Sequence, residues 1–208
     1  SVRVIKTFRL TGCRFEPVFQ LKGGFHTAAK IFHTAEGGCV VSHTDEAHKA
    51  LSLARAFGHI DDTHYCLGIN GKMSELHAAM GLALLPGTDA EIEKRRKLHA
   101  AYEAALGSAK LIRPAIREGM EWNYAYYPIL LSDEDLLLKV QRTLTAQGIY
   151  PRRYFYPALN MLSYLRPEWK ASCPVAEKAA NHALCLPMHG DIDQEHVKII
   201  TNILLESL

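Results

Sequence analysis

Apolar residues between Thr44 and Gly58 recur at helical spacing, at Ala47, Leu51, Ala54 and Phe57. Thr44 supplies an N-cap hydroxyl, Asp45 and Glu46 suit the positive first turn, and Gly58 stops the run. The valine-rich stretch from Gly38 to Ser42 predicts a strand just before that helix. His59 to Gly71 is turn-rich. Ser74 to Leu85 carries Ala, Leu and Met on nearly every side, which predicts a buried helix. Pro86-Gly87 then breaks the chain, and Thr88 or Asp89 caps a long helix through Ala105. Its Glu91/Arg95 and Glu93/Lys97 pairs stand one helical turn apart on what reads as a solvated face.

After Gly107 the character changes. Asn123 to Leu131 is aromatic-rich and alternates loosely, a strand, and Asp133 to Gln147 is an amphipathic helix ended by Gly148. Ile149 to Tyr156 predicts a second strand, with helices at Pro174 to Leu184 and Asp193 to Leu205. Strand, helix, strand and then helices predict a small α/β layer with helices packed on one face. Near the start, Val2, Val4 and Ile5 hint at a strand, and Arg9 to Lys22 reads as irregular. The expected division is 1–86 and 87–208, with the long helix as connector.

Composition narrows the class. A chain of 208 residues, 48% of them hydrophobic, can bury a substantial core. A net charge of +2 gives no footprint for nucleic acid or an anionic membrane. Five cysteines, scattered and without C-x-x-C spacing, argue against a disulfide framework and fit a reducing cytoplasm. No apolar run approaches the length of a membrane span and the start lacks a signal-peptide core, so a soluble cytoplasmic protein is expected. Eleven histidines occur singly, outside any H-E-x-x-H or H-x-H arrangement, and no metal site is expected.

One lysine stands apart. In "FHTAAKIFHTAEGG" Lys30 has Phe25, Ala28, Ala29, Ile31 and Phe32 around it and no acid close by. Desolvation lowers a lysine's pKa and frees the amine for nucleophilic chemistry. The same letters suit a lysine whose stem covers apolar surface while its head reaches water. Asn70, between Gly68 and Gly71, reads by itself as a turn residue.

Four segments in order carry a resemblance: "FHTAAKIFHTAEGG", "GINGKMSELHAAMGLALL", "RRYFYPALN" and "CPVAEKAANHALCLPMH". Together they resemble the C-terminal part of the DegT/DnrJ/EryC1/StrS family of pyridoxal-phosphate-dependent sugar aminotransferases. The resemblance implies a partial fold-type-I aminotransferase: part of the large cofactor-binding domain over 1–86, then a connector helix and small α/β domain over 87–208. It implies that Lys30 bonds the cofactor through its amine and shuttles the substrate proton. By the same resemblance Asn70 donates to the phosphate of the partner's cofactor across a homodimer interface. Arg153, Tyr154 and Tyr156 would border the nucleotide-sugar pocket, and His189 would lie near the sugar. Ser74 reads as a helix cap, Lys72 as a solvated or interface charge, and Glu36-Gly37-Gly38 as a turn into a strand. The implied substrates are an amino acid, glutamate, and a nucleotide-linked keto-deoxy sugar. Phe25 stands where family members carry a phosphate-binding serine. Because only the C-terminal part is matched, a second expectation stands beside the first: a truncated, catalytically inactive remnant acting as a dimerising or interaction module.

Overall fold

Three short strands open the structure, a computed structural model that describes residues 9–10, 13–17, 31–37 and 39–208. They are β1 (Arg9–Leu10), β2 (Cys13–Pro17) and β3 (Cys39–Ser42), antiparallel in the order β1-β2-β3, with Arg14 opposite Ser42 and Pro17 opposite Cys39. The expected irregular stretch over 9–22 therefore contains two strands. The alternation in Cys13–Pro17 lasts only five residues, too short to read without its partner β3. Residues 2–5 lie outside the described residues, as do Phe25 and Lys30.

The chain divides into two units, Ser1–Asp89 and Ala90–Leu208. In the first, α1 (Asp45–Arg55) starts as expected: the Thr44 hydroxyl accepts from the Ala47 amide at 3.1 Å. It ends two residues before Phe57, which sits in the left-handed region at φ 67°. A small hairpin, β4 (His59–Ile60) with β5 (Thr63–His64), follows, and α2 (Glu75–Leu84) is capped by Ser74.

Contrary to expectation, α2 is not buried. Only Gly81 is enclosed, while Leu76 is 84% exposed and Leu82, Leu84 and Leu85 are also open. A helix apolar on every side has no single stripe to turn inward, and one packed face leaves the others outside. Nor does Pro86-Gly87 interrupt the helical path. Leu85–Gly87 forms a 3₁₀ turn that runs directly into α3 (Thr88–Leu106), and the Thr88 hydroxyl donates back to the Leu84 carbonyl rather than capping α3.

In the second unit β6 (Tyr127–Leu130) pairs antiparallel with β7 (Ala183–Leu186), Tyr127 facing Leu186 and Leu130 facing Ala183. Single bridges extend this pair on its outer edges, Ile112 to Leu130 and Arg152 to Cys185. The strand expected over 149–156 reduces to that one bridge, because Pro151 and Pro157 lack the amide hydrogen a ladder needs. The real partner, β7, follows directly on α5 (Pro174–His182), where continued helix was expected; all four of its residues are buried. β6 also starts later than expected, since the Asn123 side chain accepts from the Ala125 amide and makes a turn there. Leu98, Tyr102 and Leu106 of α3 share the core with Tyr127, Ile129, Leu184 and Leu186. The inner faces of α4 (Glu134–Ala146) and α6 (Gln194–Ser207) complete it with Leu137, Val140, Leu144, Val197, Ile200 and Leu204.

The Glu91/Arg95 pair departs furthest from its expected place. The two side chains do meet at 2.8 Å, but Arg95 is only 5% exposed. Its guanidinium turns inward and donates to the main-chain carbonyls of Met188 and Ala125. Glu93 and Lys97 stay on the solvated face, 3.9 Å apart, and Glu93 grips Arg96 more closely.

Candidate functional site

The candidate residues fall into two groups, one in each unit. In the first, the chain leaving β5 folds back along the last turn of α1. The Ile69 amide donates to the Ala54 carbonyl and the Gly71 amide to the Arg55 carbonyl, each at 2.8 Å, and Asn70 bridges Ala56. These are carbonyls a helix end leaves unsatisfied, so the loop is fixed by the helix it caps. From this loop Asn70 and Lys72 both project to the surface. The Lys72 ammonium donates to Asn70 Oδ1 at 2.9 Å and lies 3.7 Å from the centre of the Phe57 ring. Ser74 caps α2 as expected, and its hydroxyl also meets His77 Nδ1 at 2.9 Å.

The Glu36-Gly37 turn leads towards β3. Gly37 has φ 150°, and a β-carbon there would lie 2.4 Å from Thr34 Oγ1 and 2.7 Å from Met73 Cε. Only glycine fits between those side chains. Lys30 and Phe25, the centre of the first motif, lie outside the described residues.

In the second unit, Arg153 donates from Nη2 to Glu134 Oε1 at 2.7 Å, and its guanidinium covers the Tyr156 ring at 3.5 Å. Its Nε is buried without a partner. The Tyr154 hydroxyl accepts from Arg152 at 2.8 Å, and its ring meets Tyr126 edge-on. Tyr156 and Phe155 are exposed. These residues form one surface of aromatic rings and guanidinium groups. His189 is exposed too, with Asp191 at 3.7 Å.

A cluster absent from the sequence reading stands beside the α3 core. His99, Glu103, Arg113, Trp122 and Tyr127 border a cavity of about 340 Å³, closed further by Pro114, Ile116 and Pro128. The Tyr127 hydroxyl donates to Glu103 Oε1 at 2.7 Å, and Arg113 lies 3.4 Å from the same carboxylate. Three rings, Trp122, Tyr124 and Tyr127, meet His99 edge-on with centroids 5.1–5.4 Å away. Burial holds the His99 imidazole below its ordinary pKa; Glu103 opposes this and Arg113 adds to it. Burial, then the Glu103 bond, pushes the Tyr127 phenol up. The one signal in the sequence was the His99/Glu103 spacing of four, hidden in a helix that read as charged throughout. Among the described residues no group of three or more His, Cys, Asp or Glu could hold a metal ion, and no helix is long and apolar enough to cross a membrane.

The profile of the DegT/DnrJ/EryC1/StrS aminotransferase family matches residues 24–205. The chain belongs to this family. It is 33% identical over 187 residues to a dTDP-4-amino-4,6-dideoxy-D-glucose transaminase of Shigella dysenteriae, covering 88% of this chain and 51% of that protein. The enzyme of the same name from Escherichia coli is 33% identical over 177 residues, covering 82% and 48%. Among solved structures, DesI in the presence of its TDP-sugar product superposes with a TM-score of 0.77 at 26% identity, over 93% of this chain and 49% of that one. The chain thus spans about half the length of the curated relatives it matches. The α/β architecture is that of the fold-type-I sugar aminotransferases, and the family depends on pyridoxal phosphate.

Proposed function

We propose that this chain serves a pyridoxal-phosphate-dependent transfer of an amino group from an amino acid, glutamate, to a nucleotide-linked keto-deoxy sugar. The observation that carries the reading is the Asn70–Lys72 pair, a carboxamide and an ammonium presented on a loop fixed by α1. The carboxamide suits a phosphate oxygen, since its NH₂ donates without losing a proton, and the neighbouring ammonium adds positive potential. The phosphate end of the cofactor therefore fits the residues present. When bound, the cofactor supplies an electron sink for the substrate carbon that changes its hydrogen.

The chain's own residues take the remaining roles. Lys30 would hold the cofactor through Nζ, and the same atom, as a free amine, would carry the substrate proton. Its apolar neighbours in sequence favour the neutral amine this needs. Asn70 Nδ2 donates to the phosphate, across a homodimer interface. Arg153 brings positive charge for a diphosphate; Glu134 accepts from its Nη2, and its Nε is buried without a partner. Tyr154 and Tyr156 offer ring surface to a nucleotide, and His189 a polar edge to the sugar. The domain reading follows, with 1–86 as part of the large domain and 87–208 as connector and small domain. Homodimer formation is supported by the open leucines of α2.

The test is covalent capture. Incubation with pyridoxal phosphate and reduction with borohydride should fix the cofactor on the tryptic peptide that contains Lys30. Lys30→Ala should remove the label. Label on another lysine rejects the assignment, and no label at saturating cofactor supports a non-catalytic, dimerising module instead.

A further inference from the structure

An ammonium group donates three hydrogens and accepts none, so the carboxamide atom facing Lys72 Nζ must be oxygen. The orientation of Asn70 follows from chemistry: Oδ1 is turned toward Lys72, and the NH₂ faces away with both hydrogens available. Unheld, an exposed asparagine amide samples both orientations, one of which offers its oxygen to an incoming anion. Lys72 is itself held. Its Nζ lies 3.7 Å above the centre of the Phe57 ring, within the reach of a strong cation–π contact. Phe57 keeps a left-handed backbone, φ 67°, which a bulky residue adopts only where its surroundings impose it. They do so here: the Phe57 amide donates to the Ile69 carbonyl at 3.1 Å, next to the bridge between Ala56 and Asn70. Phe57 is thus clamped to the loop whose lysine it supports.

We infer that Lys72, seated on Phe57, is a positioning residue that turns the Asn70 carboxamide so that its NH₂ donates outward to a phosphate group. This rests on the proposed reading of Asn70 as a phosphate donor and adds what makes that donor directional. Lys72 raises the local positive potential as well, but its Nζ is already shared between Oδ1 and the ring. Its effect therefore runs through Asn70.

The first experiment needs no ligand. In the ¹⁵N-labelled full chain, the two Asn70 side-chain amide protons should be dispersed from their free-peptide positions. Lys72→Met, which keeps the stem on Phe57, should return them to those positions, Lys72→Arg should keep them dispersed, and Phe57→Leu should lie between. Unchanged backbone resonances elsewhere show that each variant is folded. Asn70 protons insensitive to Lys72→Met overturn the inference. The second experiment titrates the same proteins with inorganic phosphate and with pyridoxal phosphate. Lys72→Met should weaken both by about fivefold, the worth of one ordinary hydrogen bond, and Lys72→Arg should recover most of that loss. Combining Lys72→Met with Asn70→Ala should be no worse than Asn70→Ala alone. Multiplied losses in the double variant would make Lys72 a direct anion contact and overturn the positioning role. If Asn70→Ala leaves phosphate affinity unchanged, the phosphate reading of Asn70 fails, and the ligand-free amide signal still decides whether Lys72 orients it.

Discussion

Removing the Arg95 guanidinium should unfold the second unit more readily, by an amount its contacts allow to be worked out. Arg95 is 5% exposed; it bonds Glu91 at 2.8 Å through Nε and reaches the Met188 carbonyl through Nη1. The bond to the Ala125 carbonyl, at 3.4 Å, is long and weak. Arg95→Met keeps much of the stem and removes the charge. The charge-assisted bond to Met188 is worth about 1.5–3 kcal/mol, and the long bond to Ala125 adds about half a kcal/mol. Glu91, 27% exposed, can turn to water and recover most of its hydration. The sum is about 2–3.5 kcal/mol, a large fraction of a typical stability of about 5–15 kcal/mol. Urea unfolding followed by tryptophan fluorescence reads this unit alone, since both tryptophans, Trp122 and Trp169, lie in it. Glu91→Gln should cost about 1 kcal/mol, because the acceptor oxygen remains while the counter-charge is lost. An Arg95→Met midpoint within about 0.5 kcal/mol of wild type, at unchanged slope, would refute the claim that this buried cation holds the Met188 backbone.

Two further outcomes are expected. His99 binds its proton less readily folded than unfolded, so between its folded pKa and the ordinary value of 6.5 the unfolded chain holds more protons. Stability should then rise with pH through that window and fall as pH drops below 6.5, and His99→Gln should flatten the slope in urea melts at pH 5 to 7. On α2, Leu76 is 84% exposed, and Leu76→Glu should convert a dimer to monomer in light scattering at micromolar concentration; a monomeric wild type would sink the dimer.

Local chemistry was legible in the sequence, and distant partners were not. Thr44, Ser74, Asp133 and Asp193 cap the helices that follow them because each accepts from an amide three residues on. Thr88 had the letters of a cap, but the chain arrives already helical, so its own hydroxyl turns back to Leu84. The burial of Arg95 could not be read from α3, since its acceptors, Ala125 and Met188, lie 30 and 93 residues away. The helix expected over 174–184 ran into β7, whose four residues show no alternation, as in a strand buried on both faces. At the candidate site, the sequence marked Asn70 as a polar residue between glycines. The ring beneath Lys72 comes from Phe57, across a turn and a hairpin, and spacing alone gave no sign of it.

The two groups of candidate residues share a construction that bears on what mutation will do to them. Asn70 is exposed, yet its loop is fastened to the last turn of α1 through Ala54 and Arg55. His189 is exposed as well, and the backbone just before it is held by α3. Tyr102 donates to the Pro187 carbonyl at 2.9 Å and Arg95 to the Met188 carbonyl. Beyond His189, a β-carbon at Gly190 would lie 2.7 Å from the Glu91 carboxylate. Two side chains of one helix thus hold the backbone of residues 187 and 188, and a third lies against Gly190. A side chain that must meet a ligand needs a free head on a fixed backbone, because each loose dihedral adds an entropy loss on binding. The last turn of α1 and the buried residues of α3 are therefore the second place, after the exposed donors themselves, where substitutions will weaken binding. Their signature will be lost stability and lost affinity together, whereas Asn70 and His189 variants will lose affinity alone.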